Sequence, residues 1–447
     1  MVETTSTLSV FDHSHEVLQQ EIRNIKPSKE WAFDTLGTSK TTYLTHSYHR
    51  YPAKFIPQIV QKLMTTYAPD RNQVICDPFG GCGTTLVEAK LAGHKSIGFD
   101  INPVAKLITQ TKITPINPRS LQKQRANLLQ YYENMQIHSQ EHHPRIEYWF
   151  DNTTITELDK IYAAITMIRN RDIRRFFLCA FSNSLKNCSR WLMKSIKPTI
   201  DKDKKIPKPK EVFLQHLDSM IQKNSDFYTE LVKTGNLNTV TKMYRRDSTK
   251  KLPIAPNSMD LVISSPPYVT SYEYADLHQL SLLWFGDDRN HFKKWYRFSN
   301  DFLGFRKKFI GTASKRARNG NYGSEIAKRT VENLEKKNKT IARDVANYFL
   351  DMKKAFGEMH RMLKVGGKVA IILGNTNLVG VRILNAQVAI EQMHNIGFTK
   401  VKYIKRKISN KLTTPWRDSE TGKFTNAQNL SKKRVYAYEY ILILTKI

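Results

Sequence analysis

Between residues 74 and 100 the alternation of apolar and polar positions changes period three times. Val74-Ile75-Cys76 is a short apolar run that predicts a strand, and a glycine-rich turn follows it. Thr84 to Leu91 predicts a helix ended by Gly93, and Ser96 to Phe99 predicts a second strand closed by Asp100. Just upstream, a proline-bounded segment leads into a helix on which Ile59, Leu63 and Met64 share one apolar face.

The rhythm then stops. Residues from about 115 to 236 read as helical, with the apolar patch IRRFFLCAFSNSL followed by a Lys/Pro-rich stretch, KPTIDKDKKIPKPKE, that predicts an exposed loop. Strand signals return at Thr239 to Met243 and at Leu261-Val262-Ile263. A further helix leads through Gly366-Gly367 into a strand from Val369 to Leu373. Two closing runs, FTKVKYIKRKI and YAYEYILILTK, predict a terminal hairpin around a basic polar loop. The expected fold is therefore α/β, a Rossmann-like doubly wound sheet with a C-terminal antiparallel hairpin and two large insertions, one mainly helical.

This divides the chain into an N-terminal arm (1–40, with a short helix around Glu16 to Ile25), cofactor-binding core (41–114), helical insertion (115–236), core (237–285), basic insertion (286–345) and C-terminal core (346–447). The run YEYADLHQLSLLWFG is expected to be a helix packing back on the sheet through Leu280, Leu283 and Trp284, with Tyr272 and Tyr274 reaching the pocket mouth. There is no internal repeat.

Composition changes this picture in one respect. Apolar content of 40% is that of a globular chain, but 71 Lys+Arg against 40 Asp+Glu leaves a formal charge of +31, which favours a polyanion as partner. Four cysteines without CxxC or Cys/His ligand spacing indicate neither a disulfide framework nor a zinc site, and no metal is expected. No apolar run reaches 18 residues and the N-terminus lacks a signal pattern, so the expectation is a cytoplasmic protein without membrane contact.

The chemistry concentrates at the predicted strand ends. In DPFGGCGTT, Gly80, Gly81 and Gly83 let the backbone approach a ligand closely; the P-loop lysine is absent and the spacing is not GxGxxG. Asp100 stands where a carboxylate accepts two hydrogen bonds from a ribose diol, which implies an adenosine-type cofactor. Asp77 is placed to hold an ammonium group, and Thr84 and Thr85 to bind a carboxylate beside a helix N-terminus. His46 and His49 read as structural histidines.

DPFGGCGTT, GFDIN and SSPPY, in this order, resemble the S-adenosylmethionine-dependent DNA amino-methyltransferases, which methylate N4 of cytosine or N6 of adenine. The segment HSYHRYPAKFIPQIV is similar to a further cofactor motif of that family. The resemblance implies S-adenosylmethionine as cofactor, with Asp77, Phe79, Gly81 and Gly83 as its methionine-side wall and Asp100 as its ribose ligand. It implies that Asp247 faces the adenine amino group and that Lys54, Phe55 and Pro57 belong to the upstream motif. It implies double-stranded DNA as substrate, a cognate restriction endonuclease as possible partner, and a prokaryotic, nucleoid-associated location. Neither insertion is covered by it.

An exocyclic amine is a poor nucleophile because its lone pair is delocalised into the base ring. Acceptors around its N–H groups favour a pyramidal nitrogen and receive the developing positive charge. In Ser265-Pro266-Pro267-Tyr268 the serine hydroxyl and a rigid proline turn supply acceptors, while Tyr268 stacks on a flipped base. No cysteine follows a proline, so covalent C5-cytosine chemistry lacks its nucleophile. Serine before PPY is found mainly in N4-cytosine enzymes of the resembled family; N6-adenine and RNA base methylation remain alternatives, as does a silent DNA-binding subunit. The helical insertion (115–236) is a possible DNA-contacting domain, and the basic insertion and the basic loop 400–434 are candidates for phosphate contacts. Trp295, Tyr296 and Phe298 either stack on nucleic acid or anchor the insertion.

Overall fold

The computed structural model describes residues 6–8, 22, 24–51, 54–136, 142–269, 274–285, 310, 320–408, 416–418, 424–425, 428–434 and 438–447. Trp295, Tyr296, Phe298, Tyr272 and most of the expected helix from Glu16 lie outside them, as does much of the basic insertion and of the basic loop.

One mixed sheet organises the described residues. Its strands are β1 (Ser6–Leu8), β2 (Val74–Asp77), β3 (Lys95–Asp100), β4 (Thr241–Arg245), β5 (Met259–Ser264), β6 (Leu363–Leu373), β7 (Phe398–Lys407) and β8 (Tyr438–Lys446). They lie in the order β1-β7-β8-β6-β5-β2-β3-β4. The five strands from β6 to β4 are parallel; β8 inserts antiparallel between β6 and β7, which is the expected terminal hairpin. From β2 the chain winds outward through β3 to β4 in one direction and through β5 to β6 in the other. That reversal opens a crevice at the carboxyl ends of the central strands.

Alternation along the strands assigns each apolar residue to one of two cores. Leu261, Ile263, Ala370, Ile372, Ile441 and Ile443 face α1 (Pro57–Tyr67), where Ile59, Leu63 and Met64 are fully or nearly fully buried. Their neighbours Val262, Val369, Ile371, Leu442 and Leu444 face the opposite side. Burial on both faces is what a parallel sheet requires, and it explains why these strands are near-continuous apolar runs.

The glycine turn leads into α2 (Thr84–Leu91), and β3 into α3 (Pro103–Ile113), whose N-cap Asn102 accepts from the Val104 amide at 2.9 Å. The helical insertion comprises α4 (Pro118–Asn134), α5 (Pro144–Trp149), α6 (Asn152–Thr166), α7 (Arg171–Cys188) and α8 (Pro209–Lys233). It shares one core with α3, where Val104 and Ile108 pack among Phe176, Phe177 and Phe181. The insertion is thus fused to the β2–β3 half of the sheet through its own apolar face.

Three sequence expectations shift. The helix with Leu280, Leu283 and Trp284, α9 (Gln279–Phe285), packs on α5 and α7 and joins the core of the insertion instead of the sheet, because its aromatic end meets Phe150 and Phe181. β4 starts two residues later than Thr239 and reaches Arg245. The Gly366-Gly367 pair lies within β6, at a shift in its register with β5, instead of preceding the strand. The end of the basic insertion is α10 (Glu325–Glu335), which packs with α11 (Lys339–Met362) and α12 (Asn385–Ile396) over the sheet. No helix among the described residues is long and apolar enough to cross a membrane.

Candidate active site

Four strand ends meet at one cleft. It is bordered by Pro78 to Cys82 after β2, Asp100 and Ile101 at the end of β3, Arg246 to Ser248 after β4, and Ser265 and Pro267 after β5. Tyr51, Lys54 and Phe55 form a facing wall, and Thr84 and Ile310 complete the lining. Counting its solvent-open mouth, the cleft takes in about 800 Å³ of space.

The glycine turn is held by its own backbone and by its neighbours. The Gly80 amide donates to the Phe99 carbonyl at 2.8 Å, and the Gly81 amide donates to Asp100 Oδ2 at 3.0 Å. Thr109 Oγ1 donates to the Gly81 carbonyl at 2.8 Å. Gly83 caps α2 with a φ of 79°, and a Cβ there would lie 2.6 Å from Thr109 Cγ2, so both conformation and space demand glycine. At Gly81, where φ is 49°, a Cβ would come to 3.4 Å from the Tyr51 hydroxyl and narrow the cleft.

Asp100 is half-buried at the cleft wall. Its Oδ1 accepts from the Asn102 amide at 2.8 Å and its Oδ2 from Gly81, which leaves each oxygen a second lone pair for a ligand. Burial pushes its carboxyl up to about 6, against the pull of these amides. Asp247, also half-buried, spends Oδ1 on the amide and hydroxyl of Thr249, at 2.9 and 2.7 Å.

Asp77 is elsewhere. It is 1% exposed, does not border the cleft, and its Oδ1 accepts from Ser264 Oγ at 2.6 Å and the Phe79 amide at 3.1 Å. Burial raises its carboxyl to about 6. The residue that sequence reasoning assigned to an ammonium group instead ties β2 to β5. Ser264 was missed in that reading, since nothing in SSPPY distinguishes the two serines. Strand alternation does: Ser264 points inward like Val262, and Ser265 emerges half-buried at the cleft.

The other expected residues divide similarly. Lys54, Phe55, Phe79, Gly81, Thr84, Asp100, Asp247, Ser265 and Pro267 border the cleft. Gly83, Pro57, Thr85 and Pro266 support it from behind; Pro57 opens α1, and Thr85 Oγ1 donates to the Ile263 carbonyl at 3.4 Å. Tyr268 lies outside the lining, its hydroxyl donating to Glu439 Oε2 at 3.2 Å. Lys54 Nζ donates to the His46 carbonyl at 3.0 Å, and burial, assisted by the charge of Lys112, lowers its pKa to about 8. Sequence reasoning also passed over Tyr51 and Arg246, each adjacent or close to a motif residue but of no distinctive type.

His46 and His49 are structural. His46 Nε2 pairs with Glu88 Oε1 at 2.6 Å, and His49 Nε2 with Ser182 Oγ at 2.9 Å; burial lowers the pKa of both. All four cysteines are free and buried, and no group of three or more potential metal ligands occurs among the described residues.

A glycine turn over strand ends, with a carboxylate on the next strand, is the arrangement in which open α/β sheets take up nucleoside-type ligands. The particular class follows from comparison. A family profile described as DNA methylase (N6_N4_Mtase) matches residues 4–111. The type II methyltransferase M.MvaI of Kocuria varians is 28% identical over 410 residues, covering 87% of this chain and 89% of that protein. M.BsoBI of Geobacillus stearothermophilus, also a type II methyltransferase, is 23% identical over 465 residues, covering 87% of each chain. M.MjaII of Methanocaldococcus jannaschii is 36% identical over 104 residues, 23% of this chain and 19% of that one. Residues 4–111 thus match the N6/N4 DNA methylase family, and over most of its length the chain is distantly homologous to these type II enzymes.

Proposed function

We propose that the chain is a type II DNA methyltransferase that modifies the exocyclic N4 of cytosine in duplex DNA, as the modification half of a restriction–modification pair. The observation that carries this reading is that Asp100 and Ser265, from the ends of β3 and β5, border one cleft with the glycine turn between them.

The residues fit S-adenosylmethionine. Asp100 has lone pairs left for a ribose diol, and Gly81, at a φ of 49°, puts no side chain into the cleft beside Tyr51. Lys54 and Thr84 border the cleft beside the N-terminus of α2, where a carboxylate is favoured. When bound, this cofactor supplies an electrophilic sulfonium methyl group. The chain supplies position and electrostatics: Ser265 Oγ accepts an amine N–H, Pro267 restricts the approach, and the cleft walls exclude water. A strong base is unnecessary because the product's proton leaves to water.

Serine before PPY supports N4 of cytosine over N6 of adenine, and the family match supports DNA over RNA. Labelled cofactor is incubated with the protein and either duplex DNA or total RNA, and the labelled DNA is sequenced by a method that reads modified bases. N4-methylcytosine at one sequence context is expected. N6-methyladenine would move the assignment to adenine; label in RNA alone would sink the DNA reading.

A further inference from the structure

The Lys/Pro-rich stretch that looks like a plain exposed loop in sequence begins with a braced hairpin. Trp191 and Ile200 form an isolated antiparallel bridge. The Leu192 amide donates to the Thr199 carbonyl and the Asp201 amide to the Arg190 carbonyl, both at 2.8 Å. Inside the turn, Ser195 Oγ donates to the Lys197 carbonyl at 2.8 Å. The tip presents Lys194, Lys197 and Met193, all exposed.

The base of this finger is anchored by charges turned inward. Lys204 Nζ donates to the carbonyls of Lys186, Ser189 and Trp191 at 2.8, 2.6 and 3.1 Å, and Lys186 Nζ to those of Met193 and Ser195 at 3.3 and 2.7 Å. These two lysines hold the hairpin, so the tip lysines are left for a partner. Trp191 stacks on Trp149 with ring centres 5.3 Å apart, and the Arg190 amide donates to the Trp149 carbonyl at 2.8 Å.

From there the bracing runs to the cleft. Trp149 Nε1 and Arg145 Nε both donate to Gln279 Oε1, at 3.3 and 3.2 Å; the adjoining His278 Nδ1 pairs with the side-chain Nδ2 of Asn102 at 2.9 Å, two residues beyond Asp100. Asp276, eight residues after Tyr268, has a pKa raised by burial and drawn back by Arg145 and Lys197. On the same side, Arg50 Nη1 donates to Asn187 Oδ1 at 2.9 Å, and its neighbour Tyr51 lines the cleft.

We propose that the Arg190–Asp201 finger is a DNA-docking element at the cleft mouth, its tip lysines on backbone phosphates and Met193 against the groove beside the displaced base. This rests on the methyltransferase reading of the cleft. The chemistry is that of a duplex contact: exposed cations on a rigid mount, an exposed apolar side chain next to them, and the exposed Arg145 and Tyr148 beside the stacked tryptophans. A flexible loop would lose more entropy on docking; the inward lysines remove that cost beforehand.

The test uses the full chain with Lys194→Gln and Lys197→Gln, singly and together, and Met193→Ala. Affinity for duplex DNA is measured between about 50 and 200 mM salt, alongside cofactor affinity and melting temperature. Each lysine that meets a phosphate contributes about 0.9 to the slope of log K against log salt. The double variant should therefore lose roughly 1.8 from that slope and on the order of tenfold in affinity per lysine near 0.1 M. Met193→Ala should leave the slope intact and reduce methylation at saturating DNA by a few-fold. Cofactor affinity should be that of the wild type in all variants. A wild-type protein that methylates DNA while the double variant keeps its slope and affinity overturns the finger and leaves the cleft assignment standing. A wild-type protein that methylates no DNA, or binds RNA alone, removes both.

Discussion

Two pairs of side chains sit at the ends of adjacent strands, and they do opposite work. Asp77 and Ser264, closing β2 and β5, are bonded to each other in a buried seam. Asp100 and Ser265, one strand over and one residue on, border the cleft. Both aspartates have pKa values raised to about 6 by burial, so acidity does not separate them. Access does: the seam pair is bonded to each other, whereas Asp100 accepts only from backbone amides, of Asn102 and of Gly81 on the glycine turn, and still has acceptors to offer.

The largest expected effect lies in the seam and depends on pH. A carboxyl whose pKa is raised on folding stabilises the fold below its unfolded value, near 3.8, and that contribution is lost as pH rises through the folded value, about 6. Asp77 should therefore make the protein more stable at pH 4 than at pH 6.5, by at most about 3 kcal/mol. Asp77→Asn should roughly halve the fall in denaturant-derived stability across this window, Asp100 supplying the rest; an unchanged profile would show that Asp77 does not titrate there.

Next comes the cleft carboxylate. Asp100→Ala should weaken cofactor binding on the order of 100-fold, the loss of charge-assisted hydrogen bonds worth about 2–3 kcal/mol. In the wild type the same affinity should fall as pH drops below about 6, because protonation removes an acceptor from Asp100. Calorimetric titration across pH reads both effects, and Asp100→Asn should lose the pH dependence.

The serines sharpen the comparison further. Ser264→Ala leaves a buried carboxylate oxygen without one of its donors and should cost about 1–3 kcal/mol in unfolding experiments, with cofactor affinity nearly intact. Ser265→Ala should do the reverse: melting temperature unchanged, cofactor affinity unchanged, and single-turnover methylation about tenfold slower for one lost acceptor. If the two variants behaved alike, the division between seam and cleft would be wrong.

Much of this was legible beforehand. The β2-turn-α2-β3 unit was readable because periodicity switches sharply there and the glycines punctuate it, and Asp100 followed from being the carboxylate that ends β3. The closing hairpin was readable from two long apolar strands. The destination of α9 was not, since Leu280, Leu283 and Trp284 suit a sheet or a helical layer equally and only Phe150 and Phe181 decide between them.

By itself, then, the sequence determined the winding of the sheet, the glycine turn at Gly80 to Gly83 and the presence of acids and serines at its strand ends. These are consequences of local spacing and backbone stereochemistry. Tertiary structure decided which acid and which serine are sealed and which are offered. That outcome depends on parallel pairing across about 190 residues of intervening chain. The pairing turns Ser264 toward Asp77 and leaves the next residue, Ser265, facing the cleft.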